Sequence, residues 1–199
     1  MRFPSKCREM FYDSPMSEID LSGIDSSAYI TNMQGMFSGC ERLSSLDLSN
    51  LNTSEVTDMS CMFDGCDNLK DIKLQNFDTS NVTNMRGMFS QTGLETLDLS
   101  HFDTKNVTDM NSMFLKSGVL KTLNVKNFNT SKVTDMSEMF YSCGKLSSLD
   151  LSSFYTRNVP KMDDMFWGNN NLQWITLGKH SSAGLMNASL ATGKFVFFS

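Results

Sequence analysis

The string Met-x-x-Met-Phe recurs along this chain at a nearly fixed step, and that step governs what the chain can fold into. Copies start at Met33, Met59, Met85, Met110, Met136 and Met162, so the successive steps are 26, 26, 25, 26 and 26 residues. Self-similarity at such a period marks stacked architectures, in which one unit cannot bury its apolar face alone and its neighbours complete the core. The stretch from Cys7 to Asn32 fits the same frame, one deletion and one insertion cancelling. The chain therefore reads as about seven units, starting near residues 7, 33, 59, 85, 110, 136 and 162 and filling residues 1–180. Residues 181–199 carry no repeat signature and read as a C-terminal cap or the start of a following region; Phe195-Val196-Phe197-Phe198 in it is strongly β-prone.

Inside a unit the apolar residues follow a second rule. Leu43, Leu46, Leu48 and Leu51 form an LxxLxL run with one more apolar residue three places on, the leucine-rich-repeat skeleton. Leu46 and Leu48 alternate with Ser45, Asp47 and Ser49, which predicts a short strand with one face in and one out. Ile72 and Leu74, Leu97 and Leu99, Leu123 and Val125, and Leu149 and Leu151 repeat the alternation. The Asn-Val-Thr-Asp-Met-x-x-Met-Phe segment predicts a helix of one or two turns, with Thr57-Asp58, Thr83-Asn84, Thr108-Asp109 and Thr134-Asp135 as caps. Its Met, Met and Phe then point inward at i, i+3 and i+4. Asp78-Thr79-Ser80 reads as a turn whose side chains satisfy local backbone groups. The expected class is α/β: a right-handed leucine-rich-repeat solenoid with a parallel sheet on one face and short helices or turns on the other.

Leu97-Asp98-Leu99-Ser100, Phe102-Asp103-Thr104, Val107-Thr108-Asp109-Met110 and Met113-Phe114 recur in the other units from Cys7 to Lys179. In these blocks the chain resembles the BspA-like leucine-rich-repeat family of cell-surface proteins. The resemblance implies secreted or wall-attached proteins, mainly bacterial with some protist relatives, that act in adhesion to host or microbial ligands. An extracellular or cell-wall location rests on it alone, because the opening MRFPSKCREMFYDS has no apolar stretch of the kind a secretion signal needs.

Several classes drop out on composition and spacing. Lys and Arg number 17 against 22 Asp and Glu, a net charge of −5, so the basic footprint of a nucleic-acid binder is missing. No run of about 18 apolar residues exists, so no membrane insertion is expected. Five cysteines cannot all pair within one chain, although a bridge between Cys40 and Cys66 on adjacent units stays open. Cys40, Cys66 and Cys143 share a repeat position with Thr92 and Ser117, which speaks for a half-buried ladder of small side chains rather than a nucleophile. The two histidines, His101 and His180, form no HExxH or HxH pair, and no metal or cofactor is expected. Asp78, Asp103 and Asn129 could be lined up for calcium, but turns and caps account for them, as for the sequons at Asn52, Asn81, Asn106, Asn129 and Asn187. With neither a GxSxG elbow nor a cluster of titratable groups, the chain is not expected to be an enzyme.

Departures between units carry the functional reading. The outward strand positions are mostly Ser, Asp and Thr, a small polar face of the kind that lines the concave side of solenoids. Lys73, Asn124, Lys126 and Trp174 break that monotony. After the Phe of the repeat, Ser38, Asp64 and Ser90 give way to Leu115, Tyr141 and Trp167, and the fifth full unit departs from the rule with Tyr155, Arg157, Pro160 and Lys161. Trp167 and Pro160 read as capping of a terminal unit. For Trp174 and Tyr155, capping and ligand contact stand open together, since aromatics and Arg are the residues enriched at binding hot spots. The candidate ligand-binding residues are Trp174, Tyr155, Arg157, Lys73, Asn124 and Lys126. The expected function is that of a monomeric, non-enzymatic binding module that adheres to a protein or glycan on a host or neighbouring cell. A stalk that projects another domain and an intracellular regulatory repeat protein are the alternatives.

Overall fold

The alternating segments become strands because each has one leucine or isoleucine to bury and polar neighbours to leave in water. The computed structural model describes residues 4–24, 29–157 and 159–181 and the backbone of 194–197. Its strands are β1 (Ser45–Asp47), β2 (Asp71–Lys73), β3 (Thr96–Asp98), β4 (Thr122–Asn124), β5 (Ser148–Leu151), β6 (Trp174–Leu177) and β7 (Lys194–Phe197). Leu46, Leu97, Leu123, Leu149 and Ile175 face the core, while the residues flanking them turn outward. All strand pairs are parallel and in repeat register, as in Leu46 opposite Ile72, Leu97 opposite Leu123 and Leu149 opposite Ile175. The pairs form three separate sheets, β1-β2, β3-β4 and β5-β6-β7, in place of the single sheet expected. Here each repeat is called a rung.

The expected helices are absent among the described residues, so the helical half of the α/β class is corrected. The amides of Met33, Gly35, Phe37 and Gly39 donate to the carbonyls of Asp58, Ser60, Met62 and Asp64 on the next rung, at 2.7–2.9 Å. The intervening amides close tight turns instead, Met36 to Met33 O and Ser38 to Gly35 O at 3.2 and 3.1 Å. An α-helix would need these groups for bonds four residues apart. Tight turning also requires a left-handed residue third in each Met-x-x-Met-Phe, at Gly35, Cys61, Gly87, Ser112, Glu138 and Asp164, with φ between 52° and 61°. The supposed helix caps do other work. Asp58 accepts the Ser60 amide two residues on at 2.9 Å, an Asx turn, and the Thr57 hydroxyl donates to Thr31 O on the preceding rung.

The inward placement of the repeat's apolar residues holds even though the backbone is not helical. Met33, Met36, Phe37 and their counterparts are buried through Phe166, Met162 alone being partly exposed. The phenylalanines Phe11, Phe37, Phe63, Phe89, Phe114, Phe140 and Phe166 stack face to face in one continuous column, with centroids 5.3–6.0 Å apart. Offset stacks of this kind add roughly 0.5–1.5 kcal/mol per pair beyond area burial.

The one 25-residue step has a local cost. Its missing residue lies between Thr92 and Leu94, where the preceding rung has both Asp67 and Asn68 between Cys66 and Leu69. The shortened loop is drawn onto the preceding rung so closely that a Cβ on Gly93 would lie 2.1 Å from the Asp67 carbonyl oxygen, so no residue but glycine fits. Downstream of it β2 and β3 are neither paired nor in contact, whereas β4 and β5, also unpaired, still lie side by side.

This core makes a sharp prediction. Met88 is fully buried among Met and Phe, so Met88→Asp leaves an uncompensated charge there and destabilises the fold by at least ~3 kcal/mol. A thermal melt unchanged from the parent would show that the inward register is wrong.

Candidate functional site

The outward strand face is built by register. Lys73 on β2 lies opposite Asp47 on β1, and its Nζ donates to Asp47 Oδ2 at 2.8 Å, so the cation is spent on an exposed pair within the sheet. Asn124 on β4 lies opposite Asp98, and its side chain hydrogen-bonds that carboxylate. Lys126, just past β4, is exposed, with its amide 3.4 Å from Asn124 Oδ1. Trp174 opens β6 opposite Ser148 and is half exposed. These four do not converge: they occupy three different sheets.

Tyr155 and Arg157 do come together, along with a residue that sequence reasoning set aside. Tyr155 stands where other rungs carry Asp78, Asp103 or Asn129, in a turn anchored by the buried Thr156. Its ring lies flat on His180, with centroids 4.1 Å apart and planes 13° from parallel. Arg157 holds the same strip of chain, donating from Nη2 to Lys179 O at 2.9 Å. Together with Thr130, Ser131, Val133 and Val159 these side chains line a groove of about 230 Å³. His180 was findable, because it sits 26 residues after Phe154 and replaces a phenylalanine of the repeat. Trp167 lies flat on Tyr141 at 4.7 Å on the outside of the turn ladder and is half exposed, rather than folded over the core as a cap.

The remaining polar residues are consumed by the ladder. Thr53, Thr104 and Thr130 each donate from Oγ1 to a carbonyl of the next rung and accept an amide from it. The position shared by Cys40, Cys66, Ser117, Cys143 and Asn169 has one task, donation to the phenylalanine carbonyl one rung back. A small donor is the common requirement, which explains how a thiol, a hydroxyl and an amide alternate there. These side chains are fully buried, not half-buried as the sequence suggested. All five cysteines are free, so the Cys40–Cys66 bridge is not formed, each sulfur being turned to a carbonyl instead. Burial pushes the Cys143 thiol up to about 12 and the Cys7 thiol to about 11, so neither is a nucleophile at neutral pH. His101 fills the role of Asn76 and Asn127, its Nε2 bonding Leu74 O at 2.9 Å. Among the described residues no group of three or more His, Cys, Asp or Glu is placed to hold a metal ion, and no helix is long and apolar enough to cross a membrane.

Comparison with known proteins now places this ladder. The sequence matches, over residues 5–117 and 94–190, the family described as "Mycoplasma protein of unknown function, DUF285". The chain belongs to this family. No curated protein matches this DUF285 chain. Among solved structures it is similar to a leucine-rich repeat protein of T. pallidum, with 19% identity and a TM-score of 0.34 over 81% of this chain and 56% of that one. It is also similar to a leucine-rich repeat protein of Bacteroides ovatus, with 19% identity and a TM-score of 0.32 over 85% and 58% of the two chains. The DUF285 chain thus spans little more than half the length of either.

Two outcomes follow from the ladder chemistry. Unfolding without reductant should expose five thiols to titration, whereas in the native state labelling is confined to the half-buried Cys61; a count of three or fewer after unfolding would mean that bridges form. Asp47, Asp78 and Asp98 are all held below the usual carboxylate range, Asp47 chiefly by Lys73, Asp78 by the Ser80 hydroxyl and amide, and Asp98 by the Ser100 amide. A depressed folded-state value contributes stability above the unfolded value of ~3.9 and loses it as pH falls through the folded value. The melting temperature should therefore decline from about pH 4 downward; a flat profile between about pH 5 and about pH 2 would contradict this.

Proposed function

We propose that this chain is a non-enzymatic binding module: a right-handed leucine-rich-repeat solenoid of about seven units, of the BspA-like type, that adheres to a protein or glycan on a host or neighbouring cell. The observation that carries the proposal is the Tyr155–His180–Arg157 groove. On the other rungs the same turn is closed by Asp or Asn, whose side chains bond their own backbone. Here it presents a flat aromatic surface beside a guanidinium, a combination that supplies rigid contact area at low entropic cost. Trp174 is a second, separate anchor on the strand face. The chain works as a monomer outside the cell or in its wall and needs neither nucleic acid, membrane insertion nor cofactor for this role.

A spacer that only projects another domain is the second reading, favoured by one observation: polar residues in or just before the strands pair with one another along the stack, as Lys73 does with Asp47 and Lys121 with Glu95. Tyr155→Ala and Trp174→Ala separate the two readings when melting temperature and binding to immobilised matrix proteins and glycans are measured together. Binding weakened at least tenfold by Tyr155→Ala, with the melt within a few degrees of the parent, is the expected result. A lowered melt with undiminished binding per folded molecule would assign these rings to capping, and no binding by the parent to any surface would leave the spacer.

A further inference from the structure

Resting on the reading as a binding module, we infer that the chain carries a second site, a crevice between β2 and β3 that takes an uncharged sugar ring. The 25-residue rung creates it. With one residue missing before Gly93, β3 does not reach β2, and a crevice of about 370 Å³ opens between them. Ile72 records the opening: its counterparts Leu46, Leu97, Leu123, Leu149 and Ile175 are buried, and Ile72 is partly exposed. His101 records it as well. Asn76 and Asn127 reach back to Ser49 O and Ser100 O, but His101 bonds Leu74 O, one repeat position earlier, with the longer imidazole spanning the wider gap.

The chemistry of the lining selects the occupant. Ile72 is the partly exposed apolar member of the lining, beside the buried Leu74, Leu94 and Leu97, and Asp71, Gln75 and Thr96 are exposed polar members. Among the described residues the side chains of these three make no hydrogen bond, so a carboxylate, an amide and a hydroxyl remain available to a ligand. Of the two carboxylates, Asp71 lies in the field of Lys73 and Asp98 accepts from the Ser100 amide and the Asn124 side chain, while Lys70 Nζ donates to Gly93 O at 3.2 Å. With these charges already partnered, the lining favours neither a strong anion nor a strong cation. A neutral pyranose fits: its hydroxyls pair with a lining that is predominantly polar, and its C–H face packs on the partly exposed Ile72. A peptide strand is the other guest such a gap invites, but His101 already occupies the Leu74 carbonyl that an entering strand would need.

The probes are glucose, galactose, mannose and N-acetylglucosamine with their β-linked disaccharides, and Nα-acetyl-lysinamide as the amine, titrated into the labelled full chain and followed by amide chemical shifts. At least one sugar should shift residues 70–75 and 94–101. Asp71→Ala and Gln75→Ala, both exposed positions, should each weaken it at least tenfold without moving the melt. Inserting Asn between Thr92 and Gly93, which restores the 26-residue step, should close the crevice and abolish the shifts while the chain stays folded. The inference falls if no sugar shifts these residues, if the two substitutions leave the affinity unchanged, or if the amine or a strand-forming peptide binds there instead. Its failure is distinguishable from that of the binding-module reading: adhesion that depends on Tyr155 but is indifferent to Asp71 and Gln75 would retain the module and remove the crevice.

Discussion

Everything in this protein hangs on amides that find their carbonyls one rung away. Turns, strands and core are all arranged so that backbone donors face an adjacent repeat, forward from Cys7 N to Asn32 O at one end and backward from Gln173 N to Ser147 O near the other. Once that pairing is fixed, side chains have no choice of neighbour. Identical positions stack, and a phenylalanine meets a phenylalanine, a threonine a carbonyl, a lysine the acid one rung back. The repetitiveness of the sequence is thus a consequence of parallel pairing in register, in which a side chain must be compatible with a copy of itself about 5 Å away.

How far the sequence could be read follows from which forces leave a periodic trace. Burial does: Met85, Met88, Phe89, Leu97 and Leu99 were assignable inward from spacing alone, and they are inward. Backbone partnership does not. The segment from Asn-Val-Thr-Asp to Met-Phe has the i, i+3, i+4 spacing of a helix, and the same spacing serves a turn ladder whose left-handed positions hold Cys61, Ser112, Glu138 and Asp164. Gly35 and Gly87 at the same position hint at a positive φ, but Cys61, Ser112 and Glu138 do not, because there it is imposed by the neighbouring rungs and not by local preference. At the candidate site Tyr155 and Arg157 were visible as departures from the repeat. Their companion His180 was a departure of the same kind, standing 26 residues after Phe154, but only the stacking on Tyr155 joins it to the site. The 25-residue step was equally plain in the spacing, yet its effect on β2 and β3 needed the geometry of Gly93 to become apparent.

Regularity and irregularity divide the labour. The regular positions satisfy the stack so completely that little polar chemistry is left over: buried thiols have their protons held by carbonyls, and surface acids are tied to amides or lysines. Both proposed sites lie where a rung deviates, either by changing residue, as at Tyr155, or by changing length, as before Gly93. A family built on so repetitive a frame can diversify its surface through single departures without disturbing the core.

The direction of the ladder has a mechanical consequence. The hydrogen bonds that join rungs run along the stack and link nearest neighbours, at separations of 22–29 residues. A pull on the two ends therefore loads them in series, so every interface carries the same force and the weakest yields first. Each release frees one repeat of chain, roughly 86–94 Å at the ~3.3–3.6 Å per residue of an extended backbone. Such a chain lengthens in near-equal steps under tension, a graded tether that gives way rung by rung instead of failing at once.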